Sequence, residues 1–349
     1  MNNYSKEIRL FPDTSQKERV VVLGRGDLRI SLTGKCNLGC GYCHNEGQVK
    51  CDHTPEIWKP SAQDVIDLIR LGVKHGVRSV KFTGGEPLMF HEFPQLMAAV
   101  TSAEFSGIPF SVVSNGLMLL NPQSREQFIQ YPLQKVNFGI DSLLPGERSK
   151  PESPNGVKGQ NLFHKVVLPV WKEWEKMGRQ VVINSVFTGD VDRIMSVLNA
   201  AVPELITVSV IELNQPKGVR GSTRTAFDNV MQMVQERYSL SRGYDPTLDQ
   251  RQLIDQENRV RVRFYQDHCA DENCDLCGRL HLRVSPSSDG WRIMPCYLGT
   301  PAKGIDIMDD NHNLNDDLLI RSFASLGLGP TWIEAVSGSS LSTGSDELG

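Results

Sequence analysis

No apolar run in the 349-residue sequence approaches the roughly 20 residues that a membrane-spanning helix needs. The start, Met1-Asn2-Asn3-Tyr4-Ser5-Lys6-Glu7, lacks the apolar core of a secretion signal. Excess positive charge is missing too. Lys and Arg together number 37 against 41 Asp and Glu, and the pI is near 6.1, which removes any global argument for nucleic acid or an anionic membrane as partner. Eight cysteines without a secretion signal read as metal-binding thiols of a reducing compartment, not as disulfides. A cytoplasmic protein is expected. The apolar fraction of 39% is ordinary, and the length suits one large barrel-type domain with an appendage.

What is present is concentrated in Cys36-Asn37-Leu38-Gly39-Cys40-Gly41-Tyr42-Cys43, a C-x3-C-x2-C run in a glycine-rich loop. Thiolate sulfur selects zinc, copper(I) or an iron–sulfur cluster. A structural zinc wants four protein ligands. His44 is awkwardly adjacent, and Cys51 or His53 would serve only if the loop folded back. A cubane held by three cysteines leaves one iron open for another molecule, which makes Cys36, Cys40 and Cys43 candidate cluster ligands.

The rest of the chain alternates between two periods. Short β segments at 20–23 and 28–32 flank the turn Gly24-Arg25-Gly26-Asp27, and residues 44–60 read as a long loop. Ser61 is a candidate N-cap for a helix with Val65, Ile66, Leu68, Ile69 and Val73 on one face. Strands follow at 77–82, 110–113, 135–140, 181–187 and 205–211, separated by helices near 92–104, 122–130, 160–177 and 190–201. Six βα units predict a parallel sheet, an open (β/α)6 barrel of TIM type. Polar motifs stand after its strand ends: Gly84-Gly85-Glu86-Pro87, Ser114-Asn115-Gly116 and Asp141-Ser142. Residues 141–161, rich in Pro, Gly, Ser and Lys, read as an exposed loop, as does 216–221, and a helix is expected over 227–238. The expected division is a polar leader 1–26, the barrel 27–238, a small C-terminal auxiliary-cluster domain 239–333 opening with a polar linker near 239–258, and a low-complexity, disordered tail 334–349.

A second cysteine group, Cys274-x2-Cys277-x18-Cys296, brackets an expected β hairpin of residues 279–285 and 291–294, which returns Cys296 beside the first pair. A second open-iron cluster, a site whose fourth ligand is Cys269 or Cys51, or a structural zinc completed by Cys269 satisfies these ligands.

The first run, with Tyr42 before its third cysteine, resembles the radical SAM superfamily. The whole order of motifs over residues 27–300 resembles the GTP 3′,8-cyclases of molybdenum-cofactor biosynthesis, including Asp27-Leu28-Arg29-Ile30-Ser31, Val136-Asn137-Phe138-Gly139-Ile140-Asp141-Ser142-Leu143, Ile183-Asn184, Ile211-Glu212 and Cys274-x2-Cys277-Gly278-Arg279. The resemblance implies two [4Fe–4S] clusters, one on Cys36, Cys40 and Cys43 and one on Cys274, Cys277 and Cys296. It implies S-adenosylmethionine on the open iron of the first, cleaved by one electron to a 5′-deoxyadenosyl radical that abstracts hydrogen from a small substrate held at the second. Radical cyclisation or rearrangement would follow, with a flavodoxin or ferredoxin as the electron source. Gly84, Gly85 and Glu86 would meet the SAM amino group, Ser114 and Asn115 its ribose or methionine part, with Asp141 and Asn184 also on the cofactor side. Arg29, Arg279, His281 and Arg283 would face the substrate.

The match is weaker at that substrate end. Ser79, Val182 and His281 stand where the cyclases carry cations for a triphosphate, and Gly278 where they carry asparagine. The chain ends Asp346-Glu347-Leu348-Gly349, where the cyclases end in Gly-Gly. The expectation is a paralogue with a smaller or less anionic substrate. GTP 3′,8-cyclase itself, a peptide-modifying maturase and a non-catalytic metal-binding protein are the alternatives.

Overall fold

The computed structural model describes residues 20–21, 27–43, 58–74, 77–213, 223–245, 250–265, 282–287, 290–294, 305–309, 313–316 and 333–334. Six strands alternate with helices: β2 (Asp27–Ser31), α1 (Ala62–Lys74), β3 (Ser79–Thr83), α2 (Phe93–Ala99), β4 (Phe110–Ser114), α3 (Pro122–Gln130), β5 (Lys135–Gly139), α4 (Gly159–Leu162), α5 (Leu168–Lys176), β6 (Gln180–Phe187), α6 (Val191–Ala201), β7 (Thr207–Glu212) and α7 (Thr223–Tyr238). A π turn, Phe163–Val167, joins α4 to α5. Strands β2 to β7 lie side by side in chain order and all pair parallel, which gives the expected partial barrel. Among the described residues no helix is long and apolar enough to cross a membrane.

Local signals account for the elements. Ser61 and Asp64 form a reciprocal cap on α1: the Ser61 hydroxyl accepts from the Asp64 N–H, and the Asp64 carboxylate accepts the Ser61 N–H at 2.7 Å. Asn121 caps α3 ahead of Pro122, and Asp190 caps α6. On each strand alternate residues pack against the helices: Leu28 and Ile30, Val80 and Phe82, Val136 and Phe138, Val208 and Val210 all belong to the buried core. The residues between them therefore face the barrel interior.

Several elements depart from the sequence reading. Among the described residues the N-terminal strand does not pair with β2. Instead β1 (Val20–Val21) pairs antiparallel with β14 (Ile333–Glu334). The helix expected near 92–104 stops at Ala99 and resumes only as a 3-10 turn, Ala103–Phe105. Residues 239–258 are not a linker: β8 (Ser241–Asp245) and β9 (Gln250–Ile254) form a hairpin, and β10 (Val260–Tyr265) joins it while pairing parallel with β7. The alternation of this stretch was obscured by polar residues, since of Gln250–Ile254 only Leu253 belongs to the core.

The expected C-terminal hairpin is present as β11 (Leu282–Pro286) and β12 (Trp291–Ile293), followed by β13 (Ile305–Asp306). β11 pairs parallel with β2, with Arg283 opposite Arg29. Among the described residues the result is one twelve-stranded sheet whose central run, β11 then β2 to β7 then β10, is parallel throughout.

Candidate active site

The cysteine loop leaves the C-terminal end of β2, where parallel α/β folds gather their sites. Its root is laced to the turn after β3. Gly85 N–H donates to Thr33 O at 2.6 Å and Glu86 N–H to Lys35 O at 2.7 Å. Gly84 has φ +136°, and a Cβ there would lie 2.5 Å from Thr33 O; at Gly85 it would lie 2.2 Å from Lys35 O. Only glycine permits this approach.

Glu86 closes a second connection. It is 1% exposed. One carboxylate oxygen accepts Ser114 Oγ at 2.8 Å and Leu88 N–H at 3.1 Å, and the other accepts Asn115 N–H at 2.7 Å. Burial pushes its pKa up to about 7 against the pull of these three donors. The carboxylate expected to meet an ammonium thus first ties the β3 turn to the β4 turn. From that second turn Asn115 Nδ2 donates to Asn37 Oδ1 at 2.7 Å and approaches Cys36 Sγ at 3.8 Å. Gly84, Gly85, Glu86, Ser114 and Asn115 are therefore brought together around Cys36.

The other side of the loop rests on residues 141–158. This segment, read from sequence as exposed, folds inward: Ser149 and Ser153 are fully buried and Lys150 nearly so. Gly39 N–H donates to Ser153 Oγ at 3.0 Å and Gly41 N–H to Glu152 O at 3.3 Å. Its Pro, Gly and Ser content serves tight turns under a second loop, where composition alone suggested solvent. Asp141, at the end of β5, accepts the Tyr42 hydroxyl, Lys150 Nζ at 2.7 Å and Val186 N–H at 2.8 Å. Asn184 lies one strand over and accepts Asn137 Nδ2 at 2.9 Å.

Cys40 is buried, while Cys36 and Cys43 are exposed. Burial pushes the Cys36 thiol up to about 11, with Glu86 and the neighbouring cysteines adding to it and the Leu38 N–H opposing; burial also raises Cys40, with Lys150 opposing. Both shifts favour the neutral thiol at Cys36 and Cys40, and a bound cation converts such ligands to thiolates. No three of His, Cys, Asp and Glu converge on one ion among the described residues. A cubane, in which each cysteine holds its own iron, needs no such convergence, so the donor set fits a cluster better than a single zinc.

The barrel interior holds Lys81, Lys135 and Arg263 in addition to Arg29 and Arg283, which the sequence already placed at the substrate. Register puts Arg283, Arg29, Lys81, Ser111 and Lys135 in one layer across five adjacent strands. Arg263 enters from β10, near enough to depress Lys135. The Lys135 pKa falls to about 8, chiefly through burial and then through Arg263, with Asp27 opposing. Strand alternation was the available signal, since these side chains occupy inner positions between core residues. Arg29 also donates to Thr83 Oγ1 at 3.4 Å. Cys274, Cys277, Cys296, Arg279 and His281, with Cys51 and Cys269, lie outside the described residues.

Residues 30–153 match the Radical SAM superfamily. A probable GTP 3′,8-cyclase of Methanosarcina acetivorans is 28% identical over 308 residues, covering 85% of this chain and 86% of that protein. One of Archaeoglobus fulgidus is 27% identical over 292 residues, covering 80% and 88%. In fold the chain is similar to Streptococcus suis SuiB bound to the precursor peptide SuiA, with a TM-score of 0.61 and 16% identity, over 88% of this chain and 66% of that one.

Proposed function

Because the chain is a radical SAM enzyme, built for S-adenosylmethionine and a [4Fe–4S] cluster, we propose that its substrate is a small phosphorylated, nucleotide-type molecule held inside the barrel. The observation that carries this reading is the interior layer of Arg283, Arg29, Lys81 and Lys135, faced by Arg263. Arginine and lysine in a low-dielectric channel suit phosphate oxygens. The cations missing at Ser79, Val182 and His281 are matched by others on neighbouring strands, which brings GTP forward as the first substrate to test. The names of the sequence relatives support the same choice.

Cys36, Cys40 and Cys43 would hold the first cluster, which with S-adenosylmethionine supplies the 5′-deoxyadenosyl radical when bound. Gly84, Gly85, Ser114 and Asn115 would orient the cofactor. Cys274, Cys277 and Cys296 would hold a second cluster. Support for this comes from the hairpin: β11 runs parallel to β2, so its N-terminal end lies opposite the end where the Cys36 loop emerges. Cys277 precedes β11 and Cys296 follows β12 within a few residues along the chain. An anionic substrate would then lie between the two metal sites, among the cations. A flavodoxin or ferredoxin is the proposed electron donor.

Replacing Cys40 by alanine is the direct test of the first site. After anaerobic reconstitution the variant is expected to lose the iron of one cluster and to form 5′-deoxyadenosine only at the protein-free background. Undiminished iron and turnover in Cys40→Ala would remove this cysteine from the ligand set.

A further inference from the structure

Beneath the cysteine loop lies a buried charge that the reading above does not use. Lys150 is 9% exposed. Its Nζ donates to Asp141 Oδ1 at 2.7 Å and stands 5.6 Å from the centroid of the Tyr42 ring. Tyr42 lies between Cys40 and Cys43 in the chain, and its hydroxyl donates to the other Asp141 oxygen. The Val186 N–H fixes Asp141 from β6.

A buried ion pair is a poor device for stability alone, because desolvation of two charges can exceed their attraction. An apolar plug would support the loop as well. The pair is, however, unsymmetrical toward the cysteines. Its cationic end faces the Tyr42 ring, between Cys40 and Cys43 in the chain, while its anionic end is turned to the Val186 N–H. On the other flank the Glu86 carboxylate holds the Asn115 N–H, and the Asn115 side chain approaches Cys36. Lys150 is thus a fixed cation set beneath the cysteine loop.

We propose that Lys150 sets the reduction potential of the cluster held by Cys36, Cys40 and Cys43, with its burial against the Tyr42 ring holding the ammonium under the loop and the Asp141 carboxylate as the opposing charge. The proposal rests on the assignment of a cluster to that loop. A low-potential one-electron donor reduces the cluster, whose charge falls by one. No bond is made or broken in this step. The added negative charge is stabilised by the ammonium, which shifts the equilibrium toward the reduced form.

The test is a potentiometric titration of the reconstituted holoenzyme, followed by electron paramagnetic resonance, with iron per chain measured for each variant. Lys150→Met is expected to weaken reduction of this cluster about tenfold, a shift of roughly 59 mV to lower potential for one electron. Lys150→Arg keeps the charge and is expected to stay near the parent value. Asp141→Asn removes the anion and is expected to shift the potential upward. Opposite signs in Lys150→Met and Asp141→Asn separate an electrostatic role from mere support of the loop, which would change both alike. A full-iron Lys150→Met protein at the parent potential overturns the proposal, as do shifts of one sign in both variants. If the parent chain takes up no iron on Cys36, Cys40 and Cys43, the cluster assignment itself fails, and the proposal with it.

Discussion

Lys135→Met is expected to weaken binding of a phosphorylated substrate roughly 10- to 150-fold, while leaving the fold as stable as before or more so. One charged hydrogen bond is worth about 1.5–3 kcal/mol, and each 1.4 kcal/mol is tenfold in affinity. The unusual part is the stability. Lys135 is desolvated and faces Arg263, so its charged form is unfavourable in the folded protein. Its pKa of about 8 lies below the value of 10.5 expected when unfolded. Between these values the unfolded chain binds more protons, so stability rises with pH from about 8 to 10.5 and the full penalty applies below 8. Methionine of similar length removes that penalty together with the charge. The same titration makes kcat/KM for an anionic substrate fall above about pH 8 in the parent enzyme, a limb that Lys135→Met should lack. Urea unfolding and pH–rate profiles of the two proteins check both halves. A variant that binds substrate as well as the parent would take Lys135 out of the site.

Glu86→Ala carries the largest expected cost to the scaffold. Alanine leaves the buried Ser114 hydroxyl and Asn115 N–H and the part-buried Leu88 N–H without their acceptor. At the low end of about 1 kcal/mol for each buried unsatisfied group, the loss is about 3 kcal/mol. Removal of a desolvated carboxylate offsets part of it above pH 7, where Glu86 is charged, and little below pH 5. The variant should therefore be more destabilised at pH 5 than at pH 8. It should also bind S-adenosylmethionine weakly, because Asn115, which reaches Asn37 and Cys36, loses its anchor. Thermal unfolding at the two pH values and equilibrium dialysis with S-adenosylmethionine measure these effects. Equal destabilisation at both pH values would mean that the charge of Glu86 does not contribute.

The sequence made the parallel strand order legible because Val and Ile runs alternate with capped helices, and glycine-rich or polar turns mark the strand ends. It also made the gathering of Gly84, Glu86, Ser114 and Asn115 around Cys36 legible, since each follows a strand of one parallel set. It misread two segments for the same reason: composition does not report what covers a loop. Residues 149–153 look solvated, yet Ser153 receives Gly39 of the cysteine loop. Residues 239–258 look like a linker, yet their polar faces belong to strands that widen the sheet. The interior cations were undercounted because they were sought at the family's positions. Lys81 and Lys135 reach the channel from other points of the pleat, and only register puts them in a layer with Arg29.

The most direct test of the whole account is an anaerobic assay of the reconstituted enzyme with S-adenosylmethionine and reductant. The 5′-deoxyadenosine formed is quantified with and without GTP or another nucleoside triphosphate, and the nucleotide is followed by mass spectrometry. The account predicts that a phosphorylated nucleoside accelerates cleavage and is itself converted, and that Lys135→Met needs more of it for the same rate. Cleavage that proceeds with loaded clusters but is indifferent to every phosphorylated nucleoside would contradict the interior cations as the substrate site.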